Sequence, residues 1–311
     1  MAKIPDKNPK GVYPPKDSFE WPTWLVMALI YGGWLVIIAN YRNLPALPAQ
    51  IALVVITAWH MSLQHELLHG HPTRNKSTNR LLGLFPMSAW YPYDIYRDSH
   101  LAHHRDESLT WPGVDPECNY VWPQDYQALS HLRRALYWSL RTAWGRLLLG
   151  PAVTIPMVLS GIILEPMKRN FKQVWSWVLH IALLAGMLWW VDAQAGISVL
   201  HYLFGIAYPA LGLAMLRSFY EHRPALLPAH RIVINDASWM WRLLYLNNNY
   251  HAVHHDYPKL AWYRIPNVYR TDRDGFLKRN GDFLIPGYGH ILWKYALKPI
   301  DSPIHPGFDP L

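Results

Sequence analysis

Residues 46–72 read ALPAQIALVVITAWHMSLQHELLHGHP, an apolar run that passes directly into a pair of histidines. After Pro48 nothing in it breaks a helix until Gly70 and Pro72, which together supply a stop. A bilayer span takes about 20 apolar residues, so the helix crosses a membrane and carries its last turns beyond it. His65 and His69, four residues apart, then share one face at the end of a span. The stretch therefore predicts membrane helices that present imidazoles at one edge of the bilayer.

Four further apolar segments lie outward from it, at about 21–41, 147–164, 174–191 and 197–219. The first is bracketed by Trp21, Trp24 and Tyr41, rings suited to the bilayer interface. The last two are joined by VDAQAG, which predicts a hairpin turn. Two more histidine clusters occur, HLAHH at 100–104 and HAVHH at 251–255, and each repeats the i, i+3, i+4 spacing of one helix face. With 17 His among 311 residues, chance supplies H-x-x-H-H only about 0.05 times in such a chain.

If the three clusters meet, an even number of crossings separates each pair. Three apolar segments lie between 104 and 251, so one does not cross. The segment 147–164, with Pro151, Pro156, Gly161 and the following basic run MKRNFK, is the one expected to lie in the interface or to re-enter. The fold expected is all-α: four membrane helices (21–41, 46–64, 174–191, 197–219) in two hairpins, an interfacial helix at 147–164, and a histidine-rich cytosolic helical cap. Residues 1–20 form a cytosolic tail with no signal-peptide pattern, 21–270 one integral domain, and 271–311 a C-terminal cytosolic segment. That arrangement puts the lysines on one face, with only Arg42 on the other, which is an independent positive-inside pattern.

Composition agrees. Apolar residues are 51 % and charged residues 16 %, against roughly 25 % charged in a soluble domain. The net charge of +8 is scattered along the edges of apolar runs, which favours a membrane over nucleic acid. A single cysteine, Cys118, excludes an internal disulfide framework and a Cys-based zinc site.

Eight imidazoles, His65, His69, His100, His103, His104, His251, His254 and His255, exceed the coordination of one metal and suit two with positions left open. Imidazole by itself accepts Fe, Cu, Zn or Ni. His222, in SFYEHRP just past the 197–219 segment, is a ninth candidate at the same depth. His60 and His71 are weaker candidates, and His131, His180, His201, His230, His290 and His305 are expected in the core or on the surface. HELLH also matches the H-E-x-x-H zinc-protease pattern, but that reading leaves the other two clusters without a purpose. Asp98, Glu221 and Asp256 are candidate partners that orient the rings.

HELLHGHPTRN, YRDSHLAHHRDESLTWPGVDPE and NNNYHAVHHDYPKLAWYRIP, in that order, resemble the membrane fatty acid desaturase superfamily, and in particular its bacterial branch. The resemblance runs from about residue 20 to 270. It implies that the eight box histidines hold two non-haem irons that use O2 as co-substrate. Tyr220-Glu221-His222 is similar to a segment of the related alkane hydroxylases that supplies one more ligand, although it is one residue tighter. In animal acyl-CoA desaturases an asparagine completes the site through water. Here Asn247 and Asn248, four and three residues before His251 on a continued helix, are the candidates. The implied activity is desaturation of a fatty acyl chain. The alternatives are hydroxylation or ketolation of an alkane, carotenoid or other lipid, and a membrane metal-binding protein without enzymatic activity.

The resemblance also implies external electrons. His305-Pro306-Gly307 only imitates the haem signature of a fused cytochrome module, so a separate ferredoxin, rubredoxin or cytochrome is expected as donor. The basic residues Arg74, Lys76, Arg80, Arg97 and Arg105 could receive it or an anionic acyl headgroup, or simply reflect the positive-inside rule. The expected location is a bacterial inner membrane, with the site and both termini cytosolic.

Overall fold

The structure, a computed structural model, describes residues 19–104 and 108–307 and is mostly helical. The N-terminal tail and Arg105 lie outside the described residues. In chain order the helices are α1 (Trp21–Asn40), α2 (Ala46–His69), α3 (Lys76–Gly83), α4 (Tyr93–His103), α5 (Pro123–Ala128), α6 (His131–Leu140), α7 (Ala143–Leu159) and α8 (Gly161–Met167). They continue with α9 (Phe171–Ala195), a π-helical turn His201–Ala207 running into α10 (Tyr208–Arg217), α11 (Trp239–Leu244), α12 (His251–Asp256), α13 (Ile265–Thr271), α14 (Arg273–Arg279) and α15 (Tyr288–Lys294). Two short strands, β1 (Ile234–Asn235) and β2 (Leu284–Ile285), pair in parallel, a small addition to the all-α expectation.

Five helical stretches are long and apolar enough to cross a membrane: Trp21–Asn43, Ala46–His69, Ala143–Met167, Phe171–Ala195 and His201–Tyr220. The chain is thus an integral membrane protein. The fourth outruns its predicted end because Val191 to Ala195 keep helical geometry. Gly196, at φ +70°, then terminates it where a side chain would be strained. Gly70, at φ +100°, ends α2 in the same way, directly after His69.

The chain divides into two compact units. One comprises Glu20–Asp98 and Leu147–Leu216, and contains most of the apolar helices. Within it, an irregular buried stretch around Met87, Ser88 and Ala89 runs among those helices. Backbone carbonyls away from water need donors, and polar side chains of four membrane helices provide them. Tyr31 Oη donates to Leu82 O at 2.6 Å and Gln64 Nε2 to Gly83 O at 2.9 Å. Tyr202 Oη donates to Met87 O and His180 Nε2 to Ala89 O, both at 2.9 Å. Tyr31, Gln64, His180 and Tyr202 therefore serve the fold by satisfying these carbonyls.

The same unit fixes the start of α4. Asp94 binds Arg80 and Arg97, while Asp98 binds Arg97 and, at 2.6 Å, Lys172. Asp98 is thus committed to cations and does not orient a histidine ring, contrary to the sequence expectation. Two members of the proposed basic patch, Arg80 and Arg97, are likewise neutralised internally.

Helices α7 and α10 cross closely at Gly212, where an added methyl would stand 2.2 Å from the carbonyl oxygen of Leu147. Since backbone cannot yield as a flexible side chain does, Gly212→Val is expected to destabilise the protein by about 1–3 kcal/mol, the cost typical of overpacking. Thermal unfolding in detergent measures it.

The other unit comprises Ser99–Arg146 and Arg217 onward. Its core is the apolar cluster of Ile234, Tyr250, Ala252, Val253, Tyr257, Leu260, Ile265, Tyr269 and Phe276. Helix α12 therefore has two faces: Ala252 and Val253 pack into this core, which leaves His251, His254 and His255 for another purpose.

Candidate metal centre

The second unit gathers seven of the predicted histidines into two sets. His103, His222, His251 and His255 form one. Its Nε2 atoms lie 3.0 Å apart for His103 and His222, and 3.1 Å apart for both His222–His251 and His251–His255. In the other, His104 Nε2 lies 3.0 Å from the Nε2 atoms of both His100 and His254. The sets are adjacent, with His104 and His255 stacked at 4.3 Å between ring centroids. His65 and His69 occupy successive turns of α2 in the first unit, their ring centroids 4.7 Å apart.

The convergence follows from local geometry. His104 N bonds to His100 O, so the helical turn of α4 extends just far enough to keep i, i+3, i+4 on one side. His222 belongs to no long helix. Backbone bonds from Val233 N to Glu221 O and from Arg223 N to Arg231 O pin it, and Tyr120 Oη packs 3.2 Å from its carbonyl oxygen.

The rings face inward through Nε2 because their other nitrogens are spoken for. His100 Nδ1–H donates to Glu117 Oε1 and His103 Nδ1–H to Asp115 Oδ1, both at 2.8 Å. His251 Nδ1–H donates to Asn248 Oδ1 at 3.3 Å, with Glu221 Oε1 at 3.6 Å. Sequence reasoning singled out Glu221 but missed Asp115 and Glu117. Both sit in WPGVDPE, two residues apart shortly after the second box, and that spacing was the available signal. Asp256 lies 3.9 Å from Arg279.

The asparagines separate clearly. Residues 246 and 247 have φ of +45° and +56° and form a tight turn, and α12 begins only at His251. The continued helix expected there is absent, and the left-handed pair changes which side chains point inward. Asn247 is occupied elsewhere, accepting from Arg242 Nε and donating to the Trp262 carbonyl at 3.0 Å each. Asn248 alone of the two reaches a site histidine. Asn249 donates to Asn235 O.

Burial, with reinforcement from neighbouring rings, pushes His104 down to about 2 and His222 to about 3, and holds His251 and His255 well below their ordinary value. Burial also lowers His100, despite Glu117. His103 is raised, because Glu117 and Asp115 outweigh its burial. With protons placed on Nδ1, lone pairs on Nε2 face one another at about 3 Å, an arrangement that is repulsive until a cation stands among them. Neutral imidazole is also the form that binds metal.

With metal–nitrogen bonds of about 2.1 Å, two imidazole nitrogens on one cation stand about 3.0–3.4 Å apart, so the observed separations of 3.0–3.1 Å let neighbouring rings share one ion. Carboxylates behind metal-bound imidazoles raise ligand basicity and fix ring orientation, and losing one costs about 10–100-fold in metal affinity. Asp115→Asn is accordingly expected to weaken divalent-metal binding by about that factor while the chain stays folded, as a metal titration would read directly.

No curated protein matches the chain. The family model described as "Fatty acid desaturase" matches residues 41–285, a stretch that includes every histidine of both sets and the α2 pair. On that match, over most of its length, the chain belongs to the fatty acid desaturase family.

Proposed function

We propose that the protein is a membrane desaturase that converts CH2–CH2 in a fatty acyl chain to cis CH=CH, consuming O2, two electrons and two protons and forming two waters. The observation that carries the reading is the pair of all-imidazole sets with carboxylates behind them, in a chain of this family. Two irons would be held by His65, His69, His100, His103, His104, His222, His251, His254 and His255. When bound, they supply the O2-dependent oxidation of an unactivated C–H bond. The chain's own part is to position and to exclude. Glu117, Asp115 and Asn248 hold three rings in one tautomer, the buried tyrosines and apolar core behind α12 keep water from the far side, and Asn248 is the asparagine assigned to the site.

The topology that accompanies this reading has four crossings, with α7 and α8 lying along the interface. In its support, Pro151 and Pro156 lie inside α7, where each removes a backbone donor, and a turn at Ser160 separates α7 from α8. The site and both termini then face the cytosol of a bacterial inner membrane, and a separate one-electron carrier docks there.

Expression in a bacterial host, with lipid profiling by mass spectrometry, tests the reaction. A product lighter by two hydrogens supports desaturation. One heavier by an oxygen replaces it with hydroxylation on the same scaffold, and an unchanged lipid profile in iron-loaded, electron-supplied membranes overturns both.

A further inference from the structure

We infer that the outer faces of α11 and α15 form an apolar wedge that inserts into the headgroup layer of the bilayer and is drawn there by anionic lipid. The inference rests on membrane embedding alone and stands whether or not the metal reading does.

The two helices are held together by rings. Trp241 stacks on Tyr245 at 5.7 Å and meets Tyr288 at 5.3 Å, while Tyr245 and Tyr288 pack edge to face at 4.9 Å. With that inner side satisfied, the outer side has no apolar role within the unit, yet it is apolar. Trp239 is 70 % exposed, Met240 59 %, Trp293 89 % and Leu297 81 %. Such a patch in water is costly and marks a contact surface.

What covers it follows from where the wedge is tied. Tyr295 and Ala296 accept backbone bonds from Ala143 and Trp144 at 2.8 and 3.1 Å, and Ile300 N donates to Arg141 O at 2.9 Å. Ala143 and Trp144 open the apolar stretch Ala143–Met167. Whether that stretch crosses the bilayer or lies along it, its first turn stands at headgroup level. A segment hydrogen-bonded to that turn stands there too. Trp293 and Leu297 flank the bonded pair closely, and α11 is carried along by the shared rings. Tryptophan is the side chain suited to this depth, and the exposed Lys294 and Lys298 on either side suit phosphate oxygens. A water-borne protein partner would have to displace lipid to reach the same tips.

Cys118 makes the test clean. It is the only cysteine, its thiol donates to Thr110 O and burial pushes it up to about 12, and the unsubstituted chain, treated with the same thiol reagent, gives its background labelling directly. Trp239→Cys, Trp293→Cys and, as a control, Asp274→Cys at a fully exposed carboxylate each take a nitroxide label. The full chain is then placed in nanodiscs of phosphatidylcholine, with or without phosphatidylglycerol. The expected result is severalfold lower collision with a water-soluble nickel chelate and higher collision with O2 at 239 and 293 than at 274. The contrast should increase in the anionic discs and lose that increase in a Lys294→Glu, Lys298→Glu background. Nickel access at 239 and 293 equal to that at 274 in both discs overturns the inference. So does protection from both O2 and nickel, which would signify a second copy or a protein partner on the face.

Discussion

A His251→Ala variant is expected to lose at least about 100-fold in turnover and a large share of its bound iron, because removing only the partner behind a ligand already costs about 10–100-fold in affinity. His251 is the sharpest choice in its set. Its Nε2 touches those of both His222 and His255, so its removal opens two edges at once. It also strands Asn248 and Glu221, which face its Nδ1. His104→Ala is the matching change in the other set, where one Nε2 joins His100 to His254. Iron analysis of detergent-purified protein, alongside O2 uptake with a chemical reductant, measures both losses. Full iron content and full uptake in either variant would refute the two-metal assignment. One zinc per chain in the unaltered protein would refute it as well.

An Arg141→Met variant is expected to lose about 3–5 kcal/mol of stability, the cost of removing one partner from a buried ion pair. Arg141 is buried, forms a close ion pair with Asp301, donates to Tyr120 Oη at 2.9 Å and lies over the Tyr120 ring at 4.6 Å. Tyr120 in turn donates to Asp301 Oδ2 at 2.7 Å and reaches the His222 carbonyl. Methionine replaces the volume and none of the charge, so Asp301 loses its cation and Tyr120 a donor. At roughly 2–4 °C per kcal/mol for a domain of this size, the melting temperature should fall by about 10 °C. Adding Asp301→Leu should recover part of the loss, since replacing the whole pair by apolar groups avoids an uncompensated charge. If the single variant melts like the parent, the pair holds nothing together.

That pair also gives the C-terminal segment its meaning. As sequence, residues 271–311 read equally as a lid or a tail. In the fold, β2 pairs with β1, Val121 N bonds to Pro303 O and His305 N to Val121 O. Asp301 anchors the tyrosine that holds the backbone of His222. The segment is a structural strap on the histidine unit, and His305 is a buried packing residue against Trp122, at 4.8 Å, within it.

Helical periodicity made much of the site legible before any tertiary contact was known. Spacings of three and four placed His100, His103 and His104 on one face, and His251, His254 and His255 on another, because a 3.6-residue repeat acts within a single element. The length of the apolar runs established a membrane protein, and Gly70 placed the end of α2 just past His69. The asparagines depart from that periodicity, because two left-handed residues at 246 and 247 reset the direction of the chain before His251.

What the local pattern could not contain is which distant groups meet. Asp98 lies two residues from a box histidine in sequence yet binds Lys172, whereas Asp115 and Glu117, more than ten residues on, stand behind His103 and His100. Arg141 finds Asp301 across 160 residues. Carboxylates and cations pair wherever packing brings them into reach, at a free energy that depends on burial and distance and not on separation along the chain. The sequence alone therefore determined the histidine faces and their membrane setting, because these are properties of single helices. Only the tertiary structure decided which side chains orient the rings and what holds His222 in place, because those are contacts between segments that only the folded chain brings together.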